Sequence, residues 1–356
     1  MTLAAVCAFF FLLTLSNALF WPALTRRRLS SPGTVSVLIP ARDEAANLPD
    51  CLERVLRQGP CLREILVYDD HSSDATPRVL ADFAGRPASL VRGVPAEALP
   101  AGWCGKNFAC DRLAAAATGD WLLFLDADAR LLDDAIPRML AEASQRRLTM
   151  LSSWPGFELL SAWEKLLMPM LNFVVFSLFP SVLSLYRQQA SLGLAHGACL
   201  LLQRQAYHQV GGHAAIRHEI FEDTRLAQLW RSRGQRALCV DGQSAVRVRM
   251  YGSFGQIWRG FQKNFYPAFR HESTFWAFWA LHAMVFVLPF ALGNGPAVAF
   301  VLATRAVLAI RFRQSAWSVL AHPVAEVVTL ALALSSRRLC RTGKGVAWKG
   351  RVYRAS

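Results

Sequence analysis

The stretch GDWLLFLDADARL, residues 119–131, decides the fold prediction. Its apolar run Trp121–Leu125 has the length and composition of a buried β-strand. The run ends abruptly in two acidic residues, Asp126 and Asp128. A lone acidic pair of this kind is common by chance, so the prediction of a site depends on the acidic residues that follow the other predicted strands.

Two more strand-like runs lie upstream, and each is followed by a stretch with helical spacing. The runs are Val35–Ile39 and Ile65–Tyr68, and helices are predicted from about Glu44 to Gln58 and after Asp74. Strands that alternate with helices indicate βαβ units and a mainly parallel sheet. Ligands of such sheets bind beyond the carboxyl ends of the strands. We therefore predict an α/β catalytic domain over residues 30–270 with its site at that edge.

Acidic residues stand at the end of every predicted strand. The set comprises Asp43, Glu44, Asp69, Asp70, Asp74, Asp126 and Asp128, and a later pair, Glu222 and Asp223. Carboxylates that meet at one sheet edge repel each other unless a cation lies among them. Hard divalent cations take carboxylate oxygens and keep positions open for phosphate oxygens, so Asp126 and Asp128 are predicted to hold Mg²⁺ or Mn²⁺ on a diphosphate. A solvated turn is the alternative for this pair, and helix capping is the alternative for Asp74, Glu222 and Asp223.

Apolar segments flank and interrupt this domain. Residues 1–25 carry no charge and precede the cluster Arg26–Arg28, which predicts a transmembrane anchor with its basic end in the cytoplasm. A cleaved signal peptide is the alternative, but its basic residues should precede the apolar run. The uncharged segment Leu166–Tyr186 contains Pro169 and Pro180. Both an interfacial or re-entrant segment and a buried core helix fit it.

The C-terminal third is predicted to form transmembrane helices over residues 274–336. A turn at Gly293–Pro296 divides the first two apolar stretches, and a third runs from about Ala316 to Ser336. Three full crossings would place the basic tail, residues 337–356, outside the cell, against the charge rule. One stretch is therefore predicted not to cross. The expected location is the cell (inner) membrane, multi-pass, with the catalytic domain in the cytoplasm.

Composition narrows the function classes. The 356 residues are 53% hydrophobic, and 39 Lys and Arg against 25 Asp and Glu leave a formal net charge of +14, which suits anionic lipid or a phosphate-bearing substrate. Nucleic acid is not expected as a partner, because no basic helix, Cys/His finger or aromatic RNA-binding motif occurs. The eight cysteines lack CxxC and zinc-site spacing and are predicted to be reduced thiols. Without a GxGxxG motif, a nicotinamide enzyme is not expected.

An ordered series of motifs resembles the family 2 glycosyltransferases of the GT-A fold. The series, between about Ser36 and Asn264, is PARDE, VYDDHSSD, GWCGKNFAC, GDWLLFLDADARL, HGACLLLQRQAYHQVGGH, FEDTRLA and QIWRG. In detail it resembles the membrane-bound branch associated with carotenoid and hopanoid glycosylation and the ceramide glucosyltransferases, and the tail Trp348–Tyr353 supports that branch. The resemblance implies a Rossmann-like sheet, a nucleotide-diphospho-sugar donor, with a UDP-sugar favoured, and a membrane-lipid acceptor.

The resemblance also implies roles for single residues. On the donor side it implies Arg42 and Glu44 in the nucleotide pocket, Asp69 and Asp70 at the base and ribose, Lys106 near the diphosphate, and Asp126 and Asp128 as the metal-binding DxD motif. Asp223 corresponds to the base that takes the acceptor proton in a single inverting displacement, with Glu222 as the alternative base. Gln256 and Arg259 correspond to the QxxRW motif, whose Arg holds the leaving diphosphate. The nearby histidines, His196, His208 and His213, are interpreted as neutral core or turn residues rather than bases.

The sequence departs from the family motif at one position, and two other functions are weighed against glycosyl transfer. Gly260 stands where the motif has Trp, so transfer of a single sugar is favoured over a processive polysaccharide synthase. A Mg²⁺-dependent phosphatase of the haloacid dehalogenase type would carry its DxD on the first strand, whereas DADAR here follows two other strands. An inactive membrane scaffold is disfavoured because Asp128, Asp223 and Arg259 are all present.

Overall fold

The chain folds into two compact units in a computed structural model that describes residues 2–24, 33–342, 346–348 and 350–353. The sheet unit comprises Pro22–Glu158 and Ser184–Arg249, and the helical unit comprises Met1–Trp21, Leu159–Leu183 and Met250–Ser356. The predicted basic cluster Arg26–Arg28 and the tail residues Lys344, Lys349 and Arg354 lie outside the described residues. The predicted boundaries of the catalytic domain, 30 and 270, differ from this division, because 159–183 and 250–270 belong to the helical unit.

The elements alternate in the N-terminal half, as predicted. The strands are β1 (Val35–Ala41), β2 (Leu62–Asp69), β3 (Val91–Val94), β4 (Trp121–Leu125), β5 (Ala129–Leu131), β6 (Met150–Trp154), β7 (Gly156–Phe157), β8 (Cys199–Gln203), β9 (Ala237–Asp241), β10 (Val246–Val248), β11 (Val346–Trp348) and β12 (Arg351–Tyr353). The helices are α1 (Leu3–Phe20), α2 (Leu48–Leu56), α3 (Thr76–Ala84), α4 (Gly105–Ala116), α5 (Ala135–Gln145), α6 (Ala162–Leu167), α7 (Pro169–Leu178), α8 (Ser181–Tyr186), α9 (Arg204–Val210), α10 (Glu222–Ser232), α11 (Phe254–Asn264), α12 (Glu272–Phe286), α13 (Leu288–Ala291), α14 (Gly295–Arg311), α15 (Trp317–Leu320) and α16 (His322–Arg341).

A seven-stranded sheet in the order β3-β2-β1-β4-β8-β6-β9 forms the centre of the sheet unit. Strands β3, β2, β1 and β4 are parallel, which confirms the mainly parallel sheet, while β8 runs antiparallel to β4 and β6. The inner strands are apolar on both faces because each face is covered, and Val37 and Leu38 of β1 are both fully buried. A smaller sheet in the order β5-β10-β7 accompanies it.

The register of the strands places their ends together. Ala41 pairs with Asp69 across β1 and β2, and Leu38 pairs with Phe124 across β1 and β4. The residues that follow these strands therefore emerge at one edge. Because β8 is antiparallel, its first residue, Cys199, pairs with the last residue of β4, Leu125. The start of β8 thus joins the same edge, which the sequence did not predict.

Helix α2 begins later than predicted. Its first residue is Leu48 rather than Glu44. Asp43 has a φ of 52°, in the left-handed region, and the backbone N–H groups of Glu44 and Ala45 donate to the side chains of Thr76 and Asp74 rather than to a helix. Residues 45–47 form a turn that precedes the helix.

In the helical unit, α1 and α7 pack together. Trp21 stacks on Phe176 with ring centroids 4.0 Å apart, and the Asn17 side chain donates to the Phe176 carbonyl over 2.7 Å. Phe173 and Phe176 are fully buried. Pro169 is the first residue of α7 and not a break, since a helix start needs no N–H there. The segment Leu166–Tyr186 is divided among α6, α7 and α8, and Leu183 and Tyr186 are exposed, so both alternatives for it stay predictions.

Among the C-terminal helices, α12 has 15 residues and is short for a membrane span, whereas α16 has 20 residues but contains Glu326 and Arg337. Within the described part of the chain, α1 is the one helix long and apolar enough to cross a membrane, with a mean hydropathy of 2.2. The turn predicted at Gly293–Pro296 is present, with a φ of 59° at Gly293. Helix α16 buries Glu326, whose carboxylate lies 2.7 Å from the imidazole of His282 on α12. Multiple C-terminal crossings therefore stay a prediction.

Candidate active site

Arg42 and Asp70 meet where β1 and β2 end. The guanidinium Nη1 of Arg42 donates to the Asp70 carbonyl over 2.9 Å and lies 3.7 Å from the Asp70 carboxylate. Asp70 is nearly buried, so the Arg42 charge compensates a carboxylate that has little water around it. The structure thus brings together two of the residues predicted for the nucleotide pocket.

The loops after β1 and β2 are tied together by acidic side chains. Asp43 accepts from the backbone N–H of Ser73 over 2.7 Å, and Asp74 accepts from the backbone N–H groups of Ala45 and Thr76. The bond from Ser73 lowers the pKa of Asp43, and the hydrogen bond from the Thr76 hydroxyl, together with the backbone bonds, lowers the pKa of Asp74. The N-cap of α3 is Ala75, and Asp74, the residue before it, links the start of α3 to the loop after β1.

Asp69 and Glu44, the other residues predicted for the nucleotide pocket, also engage these loops. Asp69 accepts from the backbone N–H of Ser72 over 3.2 Å, and Glu44 accepts from the Asn47 amide over 2.8 Å. Both lie at the carboxyl edge of the sheet, as predicted.

Lys106 joins two acidic motifs that are far apart in sequence. It lies in the first turn of α4, and its Nζ is 2.8 Å from Oδ1 of Asp126 and 2.9 Å from Oε1 of Glu222. The DxD motif and the Glu222-Asp223 pair are therefore parts of a single site. Lys106 itself is about one-third exposed, at 34% of its side-chain area, so the site is open to solvent.

The DxD pair occupies a tight turn after β4. Asp126 donates its N–H to the Ala198 carbonyl over 3.1 Å and accepts the Ala129 N–H at its own carbonyl over 2.9 Å. Its side chain is 31% exposed, so a carboxylate oxygen is accessible. Within the described residues, no group of three or more His, Cys, Asp or Glu side chains is arranged to hold a metal ion. The assignment of Asp126 and Asp128 to a divalent cation therefore stays a prediction.

Asp223 is held at the start of α10 by two backbone N–H groups. Its Oδ2 accepts from Gly197 over 2.8 Å, and its Oδ1 accepts from Thr224 over 2.6 Å. Burial, with the nearby charge of Glu222, raises the pKa of Asp223 to about 7, although these hydrogen bonds and the Lys106 charge oppose the rise. A carboxyl group that titrates near neutral pH is suited to accept a proton during turnover.

Gly197 is a site residue that the sequence prediction missed. A Cβ atom at this position would lie 3.3 Å from both Oδ2 of Asp223 and Nζ of Lys106, and 3.5 Å from Oε1 of Glu222. Three charged side chains thus converge over a position without a side chain. The sequence shows a glycine just before a predicted strand, in HGAC. That glycine could be assigned to the site only once β8 was known to run antiparallel to β4, which brings its first residues to this edge of the sheet.

Of the three histidines considered, His196 and His213 are buried, whereas His208 is exposed. The His196 ring lies 5.1 Å from Trp154 and 5.9 Å from Phe157, between centroids, and burial lowers the pKa of His196 to about 3. His213 lies 2.9 Å from the Tyr207 hydroxyl, and burial lowers its pKa to about 3 as well. Neither imidazole is suited to general-base chemistry near neutral pH.

The QIWRG motif lies on α11, in the helical unit. Gln256 accepts from the Gly252 N–H over 2.8 Å. A Cβ atom at Gly260 would lie 2.1 Å from Cζ of Tyr251, so the tyrosine ring occupies the space beside that glycine. The roles predicted for Gln256 and Arg259 stay predictions.

Comparisons with known proteins identify the domain. The family model described as Glycosyl transferase family 2 matches residues 36–224. Among curated proteins, the 4,4'-diaponeurosporenoate glycosyltransferase of Staphylococcus haemolyticus is 26% identical over 67% of this chain and 63% of its own length. That of Staphylococcus aureus strain USA300 is 22% identical over 65% of this chain and 60% of its own length. The chain thus matches less than two thirds of the length of these relatives.

A solved structure shares the fold. The mannosyltransferase PcManGT from Pyrobaculum calidifontis, in complex with GDP-Man and Mn²⁺, superposes with a TM-score of 0.53 over 94% of this chain and 99% of its own, at 18% identity. The sheet order and this likeness agree with the predicted GT-A-like α/β fold. Since the family match covers more than half of the sequence, the chain belongs to glycosyl transferase family 2.

Proposed function

We propose that this protein is an inverting glycosyltransferase that moves one sugar from a nucleotide-diphospho-sugar to a hydroxyl group of a membrane lipid. The observation that carries the proposal is the Lys106 bridge, which joins Asp126 of the donor motif to Glu222 of the acceptor motif within 3 Å of each. Asp223, the next residue after Glu222, is held in place beside it. Donor-side and acceptor-side groups therefore share one site.

The donor side is proposed to bind the nucleotide diphosphate through the carboxyl edge of the sheet. Arg42, Glu44, Asp69 and Asp70 are assigned to the nucleotide, and Asp126 and Asp128 to Mg²⁺ or Mn²⁺. The metal would supply charge neutralisation of the diphosphate. The likeness in fold to a mannosyltransferase solved with GDP-Man and Mn²⁺ supports this choice. A UDP-sugar is favoured by the motif resemblance.

On the acceptor side, Asp223 is proposed as the general base. The acceptor oxygen forms the bond to the anomeric carbon, the bond from that carbon to the diphosphate oxygen breaks, and the hydroxyl proton passes to the Asp223 carboxylate. Attack opposite the leaving group inverts the anomeric centre. Glu222 is a weaker candidate because its Oε1 already pairs with Lys106. Arg259 is assigned to the leaving diphosphate on the motif resemblance.

A membrane lipid is the proposed acceptor, with a carotenoid-type molecule first, since the relatives are named for 4,4'-diaponeurosporenoate. Hopanoid, sphingolipid or glycerolipid acceptors belong to the same class. Support comes from α1 and from large apolar side chains exposed on the helical unit, among them Phe9, Leu12, Leu288 and Val327. A multi-pass chain with a cytoplasmic sheet unit predicts that Asp82→Cys escapes an impermeant thiol reagent in intact cells, with the unsubstituted chain as control.

Mass spectrometry of lipid extracts tests the function. Cells that express the full chain should contain a lipid heavier by one hexose unit than its precursor, and cells that express Asp128→Ala at equal level should not. A single added sugar supports the proposal, and a ladder of added sugars would favour a processive synthase instead. Equal product from both chains would refute the assignment of Asp128.

A further inference from the structure

The Lys106 ammonium contacts a carboxylate oxygen of Asp126, which is one of the two residues proposed to hold the metal. Its Nζ is 2.8 Å from Oδ1 of Asp126, while Glu222 lies on its other side at 2.9 Å. A divalent cation on that carboxylate would sit about 2.1 Å from the oxygen, which is closer than the ammonium. Two cations cannot both approach a single carboxylate oxygen so closely without strong repulsion. The Lys106–Asp126 pair and metal binding at Oδ1 therefore exclude each other.

We propose that Lys106 is a positioning residue that acts as a built-in competitor of the metal, so that metal and donor bind tightly only together. The proposal rests on the proposed function, because it needs a donor diphosphate. Before the donor binds, the ammonium neutralises Asp126 and weakens the attraction for a divalent cation. The diphosphate then supplies new anionic oxygens for the ammonium, and Asp126 is released to the metal.

The Lys106 side chain has the length and exposure needed to move from Asp126 to a diphosphate. Lys106 carries three donor hydrogens on a flexible four-carbon stem, and 34% of its side-chain area is exposed, so it can leave Asp126 without unfolding α4. Glu222 is only 13% exposed and needs a counter-charge whichever partner Lys106 takes. Contact with Glu222 can therefore persist while the contact with Asp126 is exchanged.

The coupling has a thermodynamic consequence. If the ammonium must leave Asp126 before the metal binds, each of metal and diphosphate raises the affinity for the other by the same factor. Removal of the Lys106 charge should then strengthen binding of the metal alone and reduce that factor. If Lys106 only stabilised the fold, its removal would neither strengthen the binding of metal alone nor reduce the coupling factor between metal and diphosphate.

Manganese binding by the full chain in detergent tests the proposal without turnover. Free Mn²⁺ is counted by electron paramagnetic resonance, with Mn²⁺ alone and with saturating UDP or GDP. We expect Lys106→Met to bind Mn²⁺ alone about 10-fold more tightly than the wild type, with a smaller gain on adding the nucleotide. Lys106→Arg keeps the charge and should resemble the wild type, and Lys165→Met, on α6, is the matched control.

The outcomes separate this inference from the proposed function. Unchanged or weaker Mn²⁺ binding by folded Lys106→Met overturns the competition, even if sugar transfer is confirmed. Tighter binding by the variant supports it, even if no transfer is found. If Lys106→Met does not fold, Lys106→Gln replaces it, and its thermal unfolding is recorded first. No Mn²⁺ binding by any form, with or without nucleotide, overturns the competition, while glycosyl transfer is judged separately by the lipid analysis.

Discussion

The backbone N–H of Gly197 donates to Oδ2 of Asp223 over 2.8 Å, from a position just before the antiparallel strand β8. This hydrogen bond holds the Asp223 carboxylate at one edge of the sheet. Asp126 lies at the same edge, since its N–H donates to the carbonyl of Ala198, the residue after Gly197. A short backbone segment thus contacts both acidic motifs. The orientation of the proposed base depends on this segment rather than on another side chain.

Substitution of Gly197 tests that dependence. In Gly197→Ala the new methyl group would lie 3.3 Å from Asp223 Oδ2 and Lys106 Nζ, so both groups must shift by a few tenths of an ångström. We expect kcat to fall by about 10-fold while donor affinity changes little, since orientation errors act on the reacting atoms. Gly295→Ala, where a Cβ meets open space, is the control. Wild-type kcat in Gly197→Ala would show that the close approach is not needed.

The pH dependence of turnover follows from Asp223. Its pKa is raised to about 7 in the free chain, and a general base works only when deprotonated, so kcat/KM should rise with pH from about 6 to 8 with its midpoint near 7. Below the midpoint, log kcat/KM should fall by about one per pH unit. Asp223→Asn should lose this dependence together with most of its activity. A wild-type profile that is flat from pH 5 to 8 would remove Asp223 from this role.

The Tyr251 ring packs directly against the backbone of Gly260 in the helical unit. A Cβ at Gly260 would lie 2.1 Å from the Tyr251 ring, so Gly260→Trp must displace that ring. Such overpacking typically lowers the free energy of unfolding by about 1–3 kcal/mol. The double variant Tyr251→Gly with Gly260→Trp should recover part of that loss in denaturant titrations. Equal stability of Gly260→Trp and wild type would contradict the pairing.

The strands were predictable because their patterns are local. Trp121–Leu125 is observed with the predicted bounds, and Val35–Ile39 and Ile65–Tyr68 lie inside β1 and β2. Strands buried on both faces are continuous apolar runs, and the charged residues that end them mark the sheet edge. The acidic ends of these strands could therefore be assigned to one site from the sequence alone.

Contacts between distant segments were not predictable. Lys106 bridges Asp126 and Glu222, but no sequence pattern around a lysine at a helix start predicts which acidic residues it contacts. Likewise, Glu326 within an apolar stretch does not reveal that it pairs with His282, 44 residues earlier. These contacts depend on tertiary packing, and so does the inclusion of 159–183 in the helical unit.

The most direct test of glycosyl transfer is a turnover assay with the purified full chain, a labelled nucleotide-diphospho-sugar and lipid extract. We expect a singly glycosylated lipid from the wild type and none from Asp128→Ala or with EDTA. Asp223→Asn should transfer the sugar at a rate lower by about 10²- to 10⁴-fold with unchanged donor affinity. Thermal unfolding should show that both variants are folded. Full turnover in EDTA, or an Asp223→Asn variant that binds donor weakly but transfers at the wild-type rate, would contradict it.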